Sequence, residues 1–180
     1  MAVTKDRGRR VRRPLDAPGL EQAALSYAGR YATTRARLRA YLARKLRERG
    51  WTGSGEPQVE VLVERMAALG YVDDRAFAAA RAAALGRRGY GARRVGEALR
   101  AAGIEEADAI DARATARDGA WQAALRFAER KRIGPFAAVE GDRPARDKAF
   151  AAMLRAGHPA DLARRLVAAR PGEIPAADTC

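Results

Sequence analysis

Cysteine and histidine each occur once in the 180 residues, at Cys180 and His158. A lone cysteine cannot staple the chain to itself. One histidine leaves nothing to cluster into a metal site or an acid–base relay. No HxxEH, DxDxDG or CxxC spacing is present, so no metal and no cofactor is expected, and an enzyme would want for residues. Aromatics make up only 6% of the chain, and no apolar run approaches the roughly 20 residues a bilayer requires. Met1–Arg13 is basic with no apolar stretch behind it, so no secretory leader is expected. A reducing, cytoplasmic setting away from membranes is the expectation. Strand patterns are equally scarce. The densest valine run, Val59-Glu60-Val61-Leu62-Val63, continues into a helical period.

What remains is alanine, arginine and helix signals. Hydrophobic residues reach 48% with very few rings, so the core must come from helices packed closely on small side chains. Lysine plus arginine number 35 against 22 acids, a formal net charge of +13. Residues 1–50 hold 14 basic and 4 acidic groups, residues 51–110 hold 8 and 9, and residues 111–180 hold 13 and 9. Such a field steers a protein toward nucleic acid or an acidic protein surface. Nucleotide bias in the coding sequence would explain arginine over lysine, but not the excess over acids.

Helices are predicted over Leu20–Tyr31, Arg35–Arg49, Pro57–Leu69, Arg75–Arg88, Ala92–Ala102, Glu105–Ala116, Gly119–Ile133, Pro144–Ala156 and Pro159–Ala169. A stop recurs among them: a large apolar residue, three others, glycine, then an aromatic or apolar residue. It reads Leu46…Gly50-Trp51, Met66…Gly70-Tyr71, Leu85…Gly89-Tyr90, Leu99…Gly103-Ile104 and, more weakly, Met153…Gly157-His158. Glycine takes the left-handed conformation after the last helical turn, and the next residue folds back on the apolar one. The stops group nine helices into three sets, 20–72, 73–117 and 118–170. The expected fold is therefore all-α, an elongated array of three tandem three-helix repeats with no sheet. Residues 1–19 are expected to form a disordered basic arm and 171–180 a flexible tail. Thr52–Pro57 is an exposed connector.

The stretch Gly86-Arg87-Arg88-Gly89-Tyr90-Gly91 looks at first like a phosphate loop. A nucleotide loop, however, needs a strand before its glycines and, in one type, Lys-Ser/Thr after them. Here a helix precedes, so helix punctuation is the better reading. Asp73 and Asp74 are paired carboxylates explained by capping the helix that follows. His158 reads as an ordinary turn residue, and Phe77, Ala80 and Ala84 as the inner side of their helix. The live candidates are basic. Arg37, Arg44 and Arg47 cluster opposite Leu38 and Leu42. Arg87, Arg88, Arg93 and Arg94 bracket the turn at 89–91, beside a helix N-terminus whose free amides also favour anions. Either set can meet phosphates or acidic side chains, or simply form a solvated face.

The stretch "GYVDDRAF…GRRGYGARRV…L…GI" resembles the signature of the RecX regulators, bacterial modulators of the RecA recombinase. The likeness falls on Gly70, Tyr71, Asp73, Asp74 and Phe77, then Gly89, Tyr90, Gly91, Arg94 and Val95, then Leu99, Gly103 and Ile104. It is dense across some 35 residues and extends loosely over 20–170. Thr34-x-x-Arg37-Leu38 keeps the cap of the family's capping box without its reciprocal glutamate. Gly96, Ala98 and Leu85 stand where the family commonly carries charge.

The resemblance implies a non-enzymatic negative regulator acting in DNA repair and SOS regulation. Such a protein would lie in the groove of the RecA–DNA filament and limit its extension, ATPase and strand exchange. Its partners would be RecA and, weakly and without sequence preference, DNA in a salt-dependent manner, with the protein itself a monomer. Arg37, Arg44, Arg47, Arg87, Arg88, Arg93 and Arg94 would supply the contacts, while Tyr71, Phe77, Tyr90 and Leu99 hold the repeats together. The rival reading is a stand-alone helix-turn-helix DNA-binding protein built on "ARRVGEALRAAGIEEADAIDA".

Overall fold

A computed structural model describes residues 13–177. Among them are nine α-helices, one 3-10 turn and no strand; a single isolated bridge pairs Leu15 with Trp51. The chain divides into two compact units, one ending at Val72 and one beginning at Asp73. No helix among the described residues is long and apolar enough to cross a membrane.

The first unit holds α1 (Ala17–Arg30), α2 (Arg35–Arg49) and α3 (Val59–Ala68). Each start has a local cause. The Asp16 carboxylate accepts the Gly19 N–H at 2.9 Å, with Pro18 in the first turn, and Thr34 Oγ1 accepts the Arg37 N–H at 3.2 Å. The core gathers Leu20, Ala24, Leu38, Leu42, Leu62, Val63, Met66 and Val72. Leu15 belongs to it as well, only 2% exposed, which corrects the expectation of an arm through residue 19. Its N–H donates to Gly50 O at 3.0 Å and its carbonyl accepts the Thr52 N–H at 2.8 Å. The pattern hid this because Leu15 stands alone between prolines; residues 1–12 of the expected arm lie outside the described residues.

Carboxylates of α1 and α3 clamp arginines across the helices of this unit. Arg39 Nε reaches both oxygens of Glu60 at 2.6 and 2.8 Å, Arg35 meets Glu64 at 3.6 Å, and Arg65 pairs with Glu21. The Arg39 hydrogen bond holds the Glu60 carboxyl below its ordinary value. These pairs are exposed, and each contributes little to stability.

The second unit holds α4 (Asp74–Arg87), α5 (Ala92–Ala101), α6 (Glu106–Asp118), α7 (Ala120–Lys131), the 3-10 turn Gly134–Phe136, α8 (Arg143–Arg155) and α9 (Ala160–Ala168). It contains two hydrophobic clusters. One joins α4–α6 through Ala78, Ala82, Leu85, Val95, Leu99 and Ile104, among others; the second joins α7–α9 through Ala124, Phe127, Ile133, Met153 and Leu166. Tyr90 packs against both. The buried face of α4 is Ala78, Ala82 and Leu85, with Ala80 exposed and Ala84 half-buried, which corrects the predicted face. In a helix that is half alanine, periodicity hardly distinguishes one side from another. After α9, residues 171–177 are not helical, yet Gly172 N–H donates to Pro135 O at 2.8 Å and Arg165 reaches Ala176 O. Cys180 lies outside the described residues.

Four of the five predicted glycine stops close as expected: the N–H groups of Tyr71, Tyr90, Ile104 and His158 reach back to Met66, Leu85, Leu99 and Met153 at 2.9–3.2 Å. The exception is Trp51, whose neighbours Gly50 and Thr52 bond to Leu15 instead. A further stop ends α7 at Lys131, not Ile133. There Arg132 takes the left-handed position at φ 53° and Ile133 N–H bonds Ala128 O at 2.9 Å. Without a glycine it left no mark in the sequence.

Gly96 sits inside α5, where an added methyl would make only ordinary contacts, the nearest 3.6 Å from Arg100 Nη1. Gly96→Ala is expected to stabilise this unit by about 0.5–1 kcal/mol, by removing backbone freedom from the unfolded chain. Denaturant titration checks this through a higher midpoint at unchanged slope.

Candidate functional site

The glycine turn at the centre of the second unit is where its two clusters abut. An added Cβ on Gly91 would lie 2.2 Å from Gly157 O, and one on Gly89 would lie 2.7 Å from Phe127 N. Gly91 N–H donates to Ala156 O at 2.9 Å and Arg93 N–H to Gly157 O at 3.3 Å. The amides expected to attract anions at the start of α5 are thus occupied by the last carbonyls at the end of α8. That corrects the helix-terminus reading, because two of those donors already have protein partners.

His158 completes the junction. It is 3% exposed, its Nε2 is 3.1 Å from Gly89 O, and its ring lies 5.5 Å from that of Phe127. It is a buried strut where an ordinary turn residue was expected. Nδ1 is buried with no hydrogen-bond partner, and burial lowers the ring's pKa from its usual 6.5 against the weaker, opposing bond to Gly89. The Gly89 carbonyl can only accept, so Nε2 carries the proton of a neutral ring. Above pH 6.5 both folded and unfolded chains hold this histidine neutral, and its burial costs nothing in protonation. As pH falls below 6.5, the unfolded chain binds a proton that the folded one does not, and stability declines toward the lower folded value. His158→Gln is expected to flatten that part of a melting-temperature profile between pH 7.5 and 5.

Arginines converge on the same turn from a direction that sequence spacing did not reveal. Arg126 and Arg130, one turn apart on α7, donate to Gly86 O at 3.4 Å and Arg88 O at 2.5 Å, serving the exposed carbonyls at the end of α4. The Arg88 and Arg130 guanidinium carbons lie 5.4 and 5.8 Å from the Tyr90 ring centre. Arg87, Arg88, Arg126 and Arg130 have no ion-pair partner among the described residues. Arg93 and Arg94 differ: Glu97 takes both, at 2.6 and 3.1 Å, and Arg93 also donates to Leu154 O at 2.5 Å. The predicted set therefore divides into Arg87 and Arg88, which have no ion pair, and Arg93 and Arg94, which share one carboxylate and keep one net positive charge.

In the first unit Arg44 forms part of a cleft of about 440 Å³ with Ser26, Tyr27, Arg30, Tyr31, Tyr41 and Lys45. Tyr27 and Tyr41 stack with ring centres 4.1 Å apart, and Tyr31 leans on Tyr27 at 5.4 Å while staying 53% exposed. Arg44 and Lys45 each stand 5.6 Å from the Tyr41 ring. Glu48 meets both, at 3.5 and 3.2 Å, leaving one carboxylate against three cations. Rings beside cations suit the faces of nucleobases and their phosphates. The i, i+4 spacing of Tyr27 and Tyr31 was visible in the sequence, but it reads equally as core. Arg37 and Arg47 are exposed on α2 outside this cleft.

The remaining signature residues are structural in varied degree. Asp73 Oδ1 accepts the Ala76 N–H at 2.8 Å, and Asp74 is buried in the first turn of α4. Leu99 is fully buried and Phe77 partly so. Gly70 and Gly103 end helices, while Tyr71 is 52% exposed and belongs to no core, contrary to the packing role expected of it. No group of three His, Cys, Asp or Glu residues among those described is placed to hold a metal.

Comparison with known proteins decides the family. The chain is 32% identical over 175 residues to the regulatory protein RecX of Myxococcus xanthus (strain DK1622), covering 93% of this chain and 94% of that one. The chain belongs to the RecX family. A RecX of Mycobacterium sp. (strain KMS) is 43% identical over 65 residues, 36% of this chain and 34% of its own. The crystal structure of RecX from Lactobacillus salivarius superposes with a TM-score of 0.62 at 17% identity, over 84% of this chain and 94% of that one. A second RecX crystal structure gives 0.55 at 21% identity, over 81% and 70%. No family model matches the chain. The RecX relatives are thus regulatory proteins by name, and their solved structures share this all-α fold.

Proposed function

We propose that this RecX-family chain is a monomeric, cytoplasmic, non-enzymatic regulator of RecA that binds in the groove of the RecA–DNA filament. There it limits filament extension, ATPase and strand exchange. The observation that carries the reading is the arginine set at the glycine turn: Arg88 and Arg130 over the Tyr90 ring, Arg126 on the Gly86 carbonyl and the exposed Arg87, none of them ion-paired among the described residues. The tyrosine cleft of the first unit supports it, since a groove formed by protein and nucleic acid offers both phosphates and base faces. The three helix sets, 20–72, 73–117 and 118–170, would serve as successive contact modules along the filament.

The helix-turn-helix alternative is disfavoured by charge. Its reading helix would be α6, in which Glu106, Asp108, Asp111 and Asp118 outnumber Arg113 and Arg117, and phosphates repel a helix of net negative charge. The test adds purified protein to a RecA strand-exchange assay at well below one copy per protomer. Inhibition there, with weak and salt-sensitive binding to any DNA sequence, is the expected result. No effect, together with tight binding of one duplex sequence, would overturn the proposal.

A further inference from the structure

Within the second unit, a groove of about 630 Å³ runs between the end of α7, the loop after the 3-10 turn, α8 and the end of α9. Its floor is aliphatic, with Ile133, Ala149, Ala152 and Val167 among its lining. Val139 stands at it 75% exposed, the most exposed large hydrophobic among the described residues. Five cations surround it: Lys131, Arg132, Arg146, Lys148 and Arg155. The one carboxylate in the lining, Glu140, is 3.6 Å from Arg146. The other four cations have no ion-pair partner among the described residues.

An aliphatic floor with a cationic rim selects its occupant by chemistry. Nucleic acid would gain from the rim but nothing from the floor, which has no aromatic ring on which a base could stack. A second copy of this chain carries the wrong charge, at +13. We infer that the groove docks a partner protein's acidic, apolar peptide segment, whose aliphatic side chains cover the floor while flanking carboxylates meet the rim. Burying apolar side chains supplies affinity, and the unpaired cations set orientation and the speed of encounter. This inference does not rest on the arginine turn or on RecA as target.

The experiment measures fluorescence anisotropy of a labelled peptide carrying leucines at helical spacing flanked by glutamates, titrated with the full chain. Binding is expected, and it should weaken about tenfold or more in Val139→Glu/Lys148→Glu, whose altered side chains are both exposed. Replacing the leucines by serines should abolish it. Equal binding of the serine peptide would reduce the groove to general electrostatics and overturn the proposal. So would unchanged binding by the variant, or displacement of the peptide by oligo(dT) at comparable concentration. Because strand exchange is not measured, failure here leaves the RecA reading standing, and the reverse holds too.

Discussion

Replacing Gly91 with alanine is expected to lower the melting temperature of the second unit by about 10 °C or more, while leaving the first unit's transition in place. Its φ of −77° is ordinary for any residue, so conformational freedom is not the issue. The cause is space. A methyl there would lie 2.2 Å from the carbonyl oxygen of Gly157 and 2.6 Å from the backbone nitrogen of His158. Backbone cannot rotate away as a flexible side chain can. Relief requires the α8–α9 turn to withdraw, which strains or breaks the bonds from Gly91 N–H to Ala156 O and from His158 to Gly89 O. Overpacking typically costs about 1–3 kcal/mol, and this site belongs at the upper end because rigid backbone opposes the methyl. A domain near 100 residues loses roughly 4–8 °C per kcal/mol. Calorimetry that resolves the two units measures it. Gly96→Ala, five residues along the same helix, should shift stability the other way, so a loss in both variants would count against the close-approach explanation.

The second large effect concerns charge. Arg87→Glu/Arg88→Glu should weaken binding to DNA-loaded RecA filaments by roughly 30-fold near 0.1 M salt, and lower the salt slope by about 1.4–1.8. Both side chains are exposed, and it is the backbone carbonyl of Arg88, not its guanidinium, that Arg130 uses. Melting should therefore fall by a few degrees at most, through loss of the Arg88 contact with the Tyr90 ring. Arg93→Glu/Arg94→Glu should do less, since Glu97 already offsets one of those two charges. If melting collapses in the first variant, those arginines are structural, and the binding role assigned to them is wrong.

These two predictions show which information the sequence carried. Helix ends were readable because caps and glycine stops are local: Thr34, Asp73, Gly70, Gly89 and Gly103 act within a few residues of themselves. What escaped was everything set by distant chain segments. Leu15 joins the first core only because Gly50 and Thr52 pass beside it. Arg126 and Arg130 reach the glycine turn from 40 or so residues away. Gly91 needs to be glycine because of Gly157, and no periodicity connects those positions. Tyr27, Tyr31 and Tyr41 form a cleft only once α1 lies against α2. Alanine-rich faces added ambiguity, since burial of Ala82 and exposure of Ala80 look alike in a string of alanines. The resemblance to the RecX signature covered the turn itself, but not the elements that close around it.

The bonds between Ala156 and Gly91 and between His158 and Gly89 also bear on the order of assembly. They join positions that are 65 and 69 residues apart, while the helices on either side form largely from near neighbours. During synthesis, the Gly91 amide that precedes α5 must wait for α8 to emerge before it finds a partner. Until then, the Gly91 amide and the Gly89 carbonyl depend on water, and the groove left for the Gly157 turn stands open. A chain halted after α7 would carry a finished signature sequence on an unfinished junction. Refolding should accordingly show early helix formation followed by a slower step, in which the environment of Tyr90 becomes native.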